Sequence, residues 1–261
     1  MNLDELQKHW QKFGEEDPLW AILAIPEMKN NNWDTEEFFR RGILEIAETI
    51  NRIEAIGAKL NYGRALDFGC GVGRLTQALA ARFDEAHGVD IAPSMIEAAR
   101  KFNKFGDKCN YHLNKKDDLS LFPDNYFDFI YSVIVLQHMQ PRYSLKYIQE
   151  FLRVLQPGGV LVFQLPSEPK LQSDQPDKRK IKPTRLMMRF KRPFHTIYQT
   201  IRHRLNPAPP STFEPRMEMY GIPKDKLLAF LAQNKATVLD VQIDSWPGPS
   251  WNSYMYFVSS S

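Results

Sequence analysis

With 261 residues, 43% of them hydrophobic and 25% charged, the chain is long enough for one sizeable α/β domain with additions, and its balance excludes disorder as the default state. There is no run of about 18 apolar residues and the opening MNLDELQKHW is too polar and acidic for a signal peptide, so neither a membrane span nor a secretory leader is expected, and the expected location is cytoplasmic. The net charge of +3 is unevenly spread: residues 168–206 carry 11 Lys or Arg against 3 Asp or Glu, a local +8 that leaves −5 for the remainder and makes basicity a property of one insert.

In chain order, Leu3, Leu6, Trp10 and Phe13 recur at helical spacing ahead of DPLWAILAIP and predict a small aromatic-rich helical collar. Asp34 followed by Glu37 resembles a capping box. The stripe Phe39, Ile43, Ile46, Ile50 and Ile53 then predicts an amphipathic helix that packs on a sheet and stops at Gly57. Short apolar runs next alternate with helical periods. Strands are expected over 64–68, 86–89, 110–113, 127–132 and 160–165, with helices starting near Gly73, Pro93 and Pro141. Such alternation predicts βαβ units in a parallel sheet. A helix from Pro223 to about Gln233 precedes strands over 238–243 and 252–258, whose separation by WPGPS predicts an antiparallel hairpin at the sheet edge.

The chemistry concentrates where the first strand runs into Gly69-Cys70-Gly71-Val72-Gly73-Arg74. Glycines at alternate positions let a ligand lie against bare backbone, and the helix after them offers unpaired N–H groups, a geometry suited to a nucleotide-like cofactor. The spacing G-x-G-x-G is one residue tighter than the dinucleotide fingerprint G-x-G-x-x-G, which disfavours a nicotinamide-dependent oxidoreductase. The second strand ends at Asp90, 17 positions beyond Gly73, where an acid can accept hydrogen bonds from both hydroxyls of a ribose. Its competing reading is an ordinary acid at a helix start, with Pro93 in the first turn.

ALDFGCGVGRLT and GVDIAPSMI together resemble the first two motifs of the class I S-adenosylmethionine-dependent methyltransferases, and FDFIYSVIVLQHM and LRVLQPGGVLVF resemble that family's fourth- and fifth-strand regions. The likeness runs from Arg64 to Leu165. It implies a Rossmann-like α/β fold: a seven-stranded, mostly parallel sheet with helices on both faces and an antiparallel C-terminal edge hairpin, with an N-terminal helical collar and a basic helical cap insert added. The expected divisions are 1–57 (collar and first packing helix), 58–166 (cofactor-binding core), 167–222 (basic insert) and 223–261 (closing helix and hairpin).

By the same resemblance, S-adenosylmethionine is the expected cofactor. Asp67, Gly69 and Gly71 would surround its methionine end, Gly73 would allow close backbone approach, Asp90 would bind the ribose and Ile91 the adenine. Ser132 and Val133 would face the methionine moiety, and Cys70, Arg74, Met95 and Lys115 complete the expected set. The family's third motif usually places an Asp on the adenine amino group. Here that stretch reads Asn114-Lys115-Lys116-Asp117, with lysine in the usual Asp place, so Asn114, Asp117 or a backbone group is left to supply the contact.

A sulfonium already carries an activated methyl group, so the protein must mainly align acceptor and donor and exclude water. A base helps when the acceptor is a hydroxyl, and His138 is the leading candidate, with a packing or capping histidine as the competing reading. No [Asn/Asp/Ser]-Pro-Pro-aromatic loop comes after the fourth strand, which disfavours methylation of base amino groups, and neither Cys70 nor Cys109 is placed as an attacking thiolate. The acidic cluster of a divalent-metal enzyme is missing from that region, so no metal is expected.

The expected activity is metal-independent methylation, at oxygen before nitrogen or carbon, of a small-molecule or glycan-type acceptor. A non-catalytic S-adenosylmethionine-binding or partner protein is the alternative. The insert carries a stripe of Leu186, Phe190, Phe194, Ile197, Ile201 and Leu205 and reads in three ways: a packed cap, a cationic lid for an anionic, lipid-linked or sugar-linked acceptor, or a helix lying on an anionic membrane. Nucleic acid is not the expected partner, because no recognition module accompanies the charge. PRMEMYGIPKDKLLAFL and WPGPSWNSYMYFV resemble the C-terminal parts of the UbiE-like broad group of small-molecule methyltransferases. Tyr220, Trp246, Trp251 and Tyr254 are there either as acceptor-pocket walls or as core aromatics. The sequence leaves the oligomeric state open.

Overall fold

The computed structural model describes residues 1–170 and 213–260. Contacts divide the chain into Met1–Lys170 with Pro215–Ser261, and Leu171–Glu214. The first of these units holds the sheet and its helices. The helical stripe expected within the basic insert lies outside the described residues.

The collar is α1 (Leu3–Glu16) and α2 (Pro18–Ile22). Asn2 caps α1 in a reciprocal box: its side chain accepts from the Glu5 N–H at 2.9 Å, while the Glu5 carboxylate accepts from the Asn2 N–H at 2.9 Å. Asp17 caps α2, with Pro18 in its first turn. Asp34 accepts from the Glu37 N–H at 2.8 Å and opens α3 (Thr35–Ala55), and Gly57 comes after the helix end at φ +77°.

The buried face of α3 differs from the expected stripe in its first half. Ile46, Ile50 and Ile53 are buried as expected, but Ile43 is 51% exposed and Phe39 half-buried, while Phe38 and Gly42 are fully inside. Gly42 determines this register. A Cβ there would lie 2.8 Å from the Arg74 carbonyl oxygen, so the face that meets the next helix must present a glycine.

The sheet contains β1 (Arg64–Phe68), β2 (Glu85–Asp90), β3 (Cys109–Leu113), β4 (Phe127–Ser132), β5 (Leu155–Pro169), β6 (Ala236–Asp244) and β7 (Trp251–Ser260), in the order β3-β2-β1-β4-β5-β7-β6. Strands β1 to β5 are parallel; β7 runs antiparallel between β5 and β6. The C-terminal hairpin thus forms as expected, with β6 as the edge.

Strand β5 extends beyond its expected span because β7 pairs along it as far as Pro169 opposite Trp251, with a bulge between Pro166 and Glu168 that absorbs the missing proline donors. Helices α3, α4 (Arg74–Ala80) and α5 (Pro93–Phe102) cover one face around Ile50, Leu79 and Phe129. Helices α6 (Pro141–Val154) and α7 (Lys224–Gln233) cover the other around Phe151, Leu161 and Leu227. The architecture is the seven-stranded Rossmann-like sheet anticipated from the sequence. Because order reverses between β1 and β4, the chain leaves their carboxyl ends towards opposite faces of the sheet, to α4 and α6, and this leaves a crevice at the switch point, where ligands bind in such folds.

Candidate functional site

That crevice is a cleft with about 910 Å3 of empty space, its open mouth included. Its floor comes from the β1, β2 and β4 ends, and its roof from the collar through Leu3, Leu6, Trp10, Ala21 and Ile22.

The glycine turn is shaped by what surrounds it. Gly69, Gly71 and Gly73 have φ of +79°, +51° and +81°, the left-handed region that favours glycine. A Cβ at Gly69 would meet Val135 at 2.2 Å, and one at Gly71 would meet Ile22 at 2.4 Å. The N–H groups of the turn are largely engaged within the protein. Gly69 and Cys70 both donate to the Val89 carbonyl, at 2.8 and 2.9 Å, Gly73 donates to the Cys70 carbonyl at 2.9 Å, and Gly71 donates to the Asp90 carboxylate at 2.9 Å. The turn itself thus presents bare backbone, as expected, beside a carboxylate.

Asp90 also accepts from the Ala92 N–H at 2.9 Å. One N–H on each oxygen leaves each with further acceptor capacity, the chemistry a vicinal diol requires. Burial raises its carboxyl above the ordinary range, against the opposing hydrogen bonds from Ala92, Gly71 and Ile91. Asp67 is only 2% exposed, accepts from the Thr76 hydroxyl at 2.7 Å, and is raised by burial to about 7, with Thr76 and Arg74 holding it down. Arg74 is 3% exposed and pairs with Glu45 at 2.9 Å, while its Nε has no hydrogen-bond partner.

Asn114 donates to the Asp118 carbonyl at 2.7 Å and accepts from the Lys116 N–H at 3.2 Å, which folds the loop after β3 over the cleft. On the β4 side, Ile134 has φ +62°, unusual for a β-branched residue, and its N–H donates to the Gln164 side chain at 3.0 Å. Gln164 in turn donates to Ser253 at 2.8 Å, and Ser253 donates to Asp244, so a buried polar chain across β5, β7 and β6 pins this turn.

His138 lies just beyond it in a short 3-10 turn, Leu136–His138. Its Nδ1 lies 2.8 Å from the Glu218 carbonyl, to which it must donate, and its Nε2 lies 3.1 Å from the Gln137 amide nitrogen, from which it accepts. Burial lowers it to about 4, so the ring is neutral at pH 7. The Trp10 indole meets it edge-on at 5.4 Å between centroids.

Of the residues singled out from the sequence, Asp67, Gly69, Cys70, Gly71, Arg74, Asp90, Ile91, Met95, Asn114, Val133 and His138 line this one cleft. Four stand elsewhere. Gly73 lies against the Tyr111 hydroxyl, Ser132 donates to the Phe68 carbonyl at 3.2 Å between β4 and β1, Lys115 is exposed, and Asp117 is drawn outward by Lys146 at 2.7 Å. Asp117 is thus spent on a surface ion pair, which leaves Asn114 as the polar side chain of that loop in the cleft. Burial pushes the Cys70 thiol well up, so it stays protonated.

Tyr220, Trp246, Trp251 and Tyr254 are not part of the described lining: Tyr220 donates to Glu218, Trp246 is 42% exposed, Trp251 pairs in the sheet and Tyr254 lies under the Lys224 ammonium. The aromatics that do line the cleft are Phe68, Tyr147 and, from the collar, Trp10. In sequence its spacing with Leu3, Leu6 and Phe13 shows only a packed helical stripe.

Residues 66–163 match the family model described as a methyltransferase domain. The match covers the segment from β1 to β5, and the fold is that of the class I S-adenosylmethionine-dependent methyltransferases. Among curated proteins it is 34% identical over 113 residues to phosphoethanolamine N-methyltransferase 3 of Arabidopsis thaliana (42% of this chain, 22% of that one). It is 33% identical over 122 residues to trans-aconitate 2-methyltransferase of Methylobacterium radiotolerans (46% and 43%), and 27% identical over 113 residues to the ubiquinone biosynthesis O-methyltransferase of Xanthomonas oryzae (42% and 46%). The chain spans less than half the length of each of these relatives. In fold it is similar to magnesium protoporphyrin IX methyltransferase from Synechocystis, solved with bound SAH, at TM-score 0.60 and 14% identity over 99% of both chains. It is also similar to an S-adenosylmethionine-dependent methyltransferase from Clostridium acetobutylicum, at TM-score 0.57 and 16% identity over 92% and 98%.

Proposed function

We propose that the protein binds S-adenosylmethionine in this cleft and transfers its methyl group to a hydroxyl of a small-molecule acceptor. The observation that carries the reading is the arrangement of Asp90 and the glycine turn: a buried carboxylate with spare acceptor capacity, beside backbone stripped of side chains. A pyrophosphate would need the turn's N–H groups free, and they are engaged, whereas a ribose diol needs the acceptor that is there.

The remaining lining fits the same cofactor. Asp67 is an acceptor for an ammonium group, the unpartnered Arg74 Nε a donor for a carboxylate, and Ile91 and Met95 are apolar cover for a purine, with Asn114 at its edge. Bound there, S-adenosylmethionine supplies a methyl group on a positively charged sulfur that becomes neutral on transfer.

The protein's own work is positional and protonic. The collar roofs the cleft and excludes water, and the Glu218 carbonyl fixes the imidazole tautomer so that the His138 Nε2 lone pair is available once the Gln137 amide yields to an acceptor hydroxyl. The hydroxyl proton passes to Nε2. The imidazolium formed replaces the positive charge leaving the cleft, which offsets the burial that makes the free ring a weak base.

Incubating the protein with S-adenosylmethionine and fractionated metabolite extract tests the activity: a product one methyl group heavier than its precursor is expected. Cofactor binding with no methylated product in any fraction would point instead to a non-catalytic binding protein.

A further inference from the structure

The turn after β4 stands in a conformation that its sequence does not favour. Ile134 has φ +62°, where a β-branched side chain crowds the backbone, and a residue persists there only when its surroundings hold it. The hold comes from β5. Gln164 Oε1 accepts the Ile134 N–H at 3.0 Å, and the Gln164 nitrogen donates at 2.8 Å to the Ser253 hydroxyl, which donates in turn to Asp244. Asp244 is held at the far end by the Trp246 N–H at 2.7 Å. Donation therefore runs one way, from the cleft to the C-terminal hairpin, and reversing the Gln164 amide would set one N–H against another at Ile134. Gln164 is 0% exposed and Ser253 1%, so both are closed to bulk water, and a buried chain satisfied at each link makes a stiff support. Two contacts lead from the turn into the site. Val135 stands 2.2 Å from where a Cβ at Gly69 would lie and so forms the wall against the glycine turn. Its carbonyl accepts the His138 N–H at 3.0 Å and opens the 3-10 turn that carries the imidazole. If Ile134 relaxed to an extended conformation, the backbone would change direction one residue before Val135, and both contacts would move together.

We infer that Gln164 is a positioning residue for the proposed transfer: through the backbone of Ile134 it sets where Val135 stands against the methionine end of S-adenosylmethionine and where the His138 turn begins. Gln164 is not among the described lining residues, whereas Val133, Ile134 and Val135 are. The inference rests on the cofactor assignment above and adds to it a support on β5 and β7.

The test is calorimetric titration of the full chain with S-adenosylmethionine across a double-mutant cycle. Gln164→Leu keeps most of the side-chain bulk and removes its hydrogen bonds, and affinity should fall about tenfold, within the range of coupling between residues in contact. Ile134→Gly gives the turn a residue that adopts positive φ at no steric cost. Adding Gln164→Leu to Ile134→Gly should then cost about threefold or less, because the conformation no longer has to be enforced. A glutamine that merely filled the core would cost the same in both backgrounds, so the difference separates positioning from packing. Should Gln164→Leu not fold, Ser253→Ala, which frees the amide from its far partner, takes its place in the cycle with the same direction expected. Unchanged affinity in the folded β5 or β7 variant, an equal loss in both backgrounds, or no measurable binding in Ile134→Gly alone overturns the inference. Absence of binding in the wild type is a different result, and sinks the cofactor assignment instead.

Discussion

At the scale of single residues, burial sets the protonation states that the cleft works with. Asp67 is raised to about 7, so the folded protein holds a proton that the unfolded chain releases near 3.8. Its contribution to stability is whole below about pH 4 and is lost as pH rises through 7. Asp67→Asn carries no such proton, so the stability of the wild type relative to this variant should fall across that window and level off above it. Urea unfolding at several pH values would show it, and a difference independent of pH would refute it. His138 runs the other way: lowered to about 4, it is neutral throughout the physiological range. Turnover should therefore be lost only as pH falls through about 4, and His138→Ala should cost roughly 10²- to 10⁴-fold in kcat, the usual weight of a general base. A kcat in His138→Ala equal to that of the wild type, with the fold intact, would reduce the ring to a packing role. The residues legible in sequence are those whose backbone chemistry forces their identity: the alternate glycines and the acid at the end of β2. Trp10 is not, because a helix that roofs a cleft and a helix that packs on a core present the same apolar spacing, and only the tertiary partner distinguishes them.

Between elements, the contact of α3 with α4 carries a specific risk. The Cβ of Gly42→Ala would meet the Arg74 carbonyl oxygen at 2.8 Å and the Arg74 side chain at 2.9 Å, so the helices must part. We expect a loss of about 1–3 kcal/mol in urea unfolding, the range for overpacking, together with weaker cofactor binding through displaced Arg74. Unchanged stability would mean that the helix pair gives way more easily than its packing suggests. A second pair of elements shows pH sensitivity of its own. His87 on β2 and His112 on β3 meet at 3.1 Å, His87 within 3.3 Å of Glu85, and both rings are lowered by burial, His112 to about 4. Their contribution is whole above about 6.5 and lost as pH falls towards 4; His112→Gln should flatten that limb of the stability profile. Strand positions are legible in sequence because parallel strands buried on both faces are short apolar runs. The face of α3 is offset by one residue from its expected stripe near the start, because a glycine contributes nothing to an apolar count although it marks the closest approach. The length of β5 is hidden by Pro166 and Pro169, which a bulge and an antiparallel partner accommodate.

Over the whole molecule, the sheet order places the reversal between β1 and β4, and every feature of the proposed chemistry is arranged about that reversal: diol acceptor and glycine turn on one side, histidine and apolar wall on the other, collar above. The alternation of elements makes the parallel βαβ units legible in sequence, whereas the place of the reversal is shown by the structure. The acceptor is not legible in sequence, because the collar residues that line the cleft show there only an apolar helical spacing. If Asp90 organises this cleft as an S-adenosylmethionine site, calorimetric titration of the full chain with S-adenosylmethionine is the most direct test. One-to-one binding is expected, weakened by about 10- to 100-fold in Asp90→Ala, the loss that accompanies removal of hydrogen bonds to a charged group. Absence of binding in folded protein, or binding undiminished in Asp90→Ala, would contradict it.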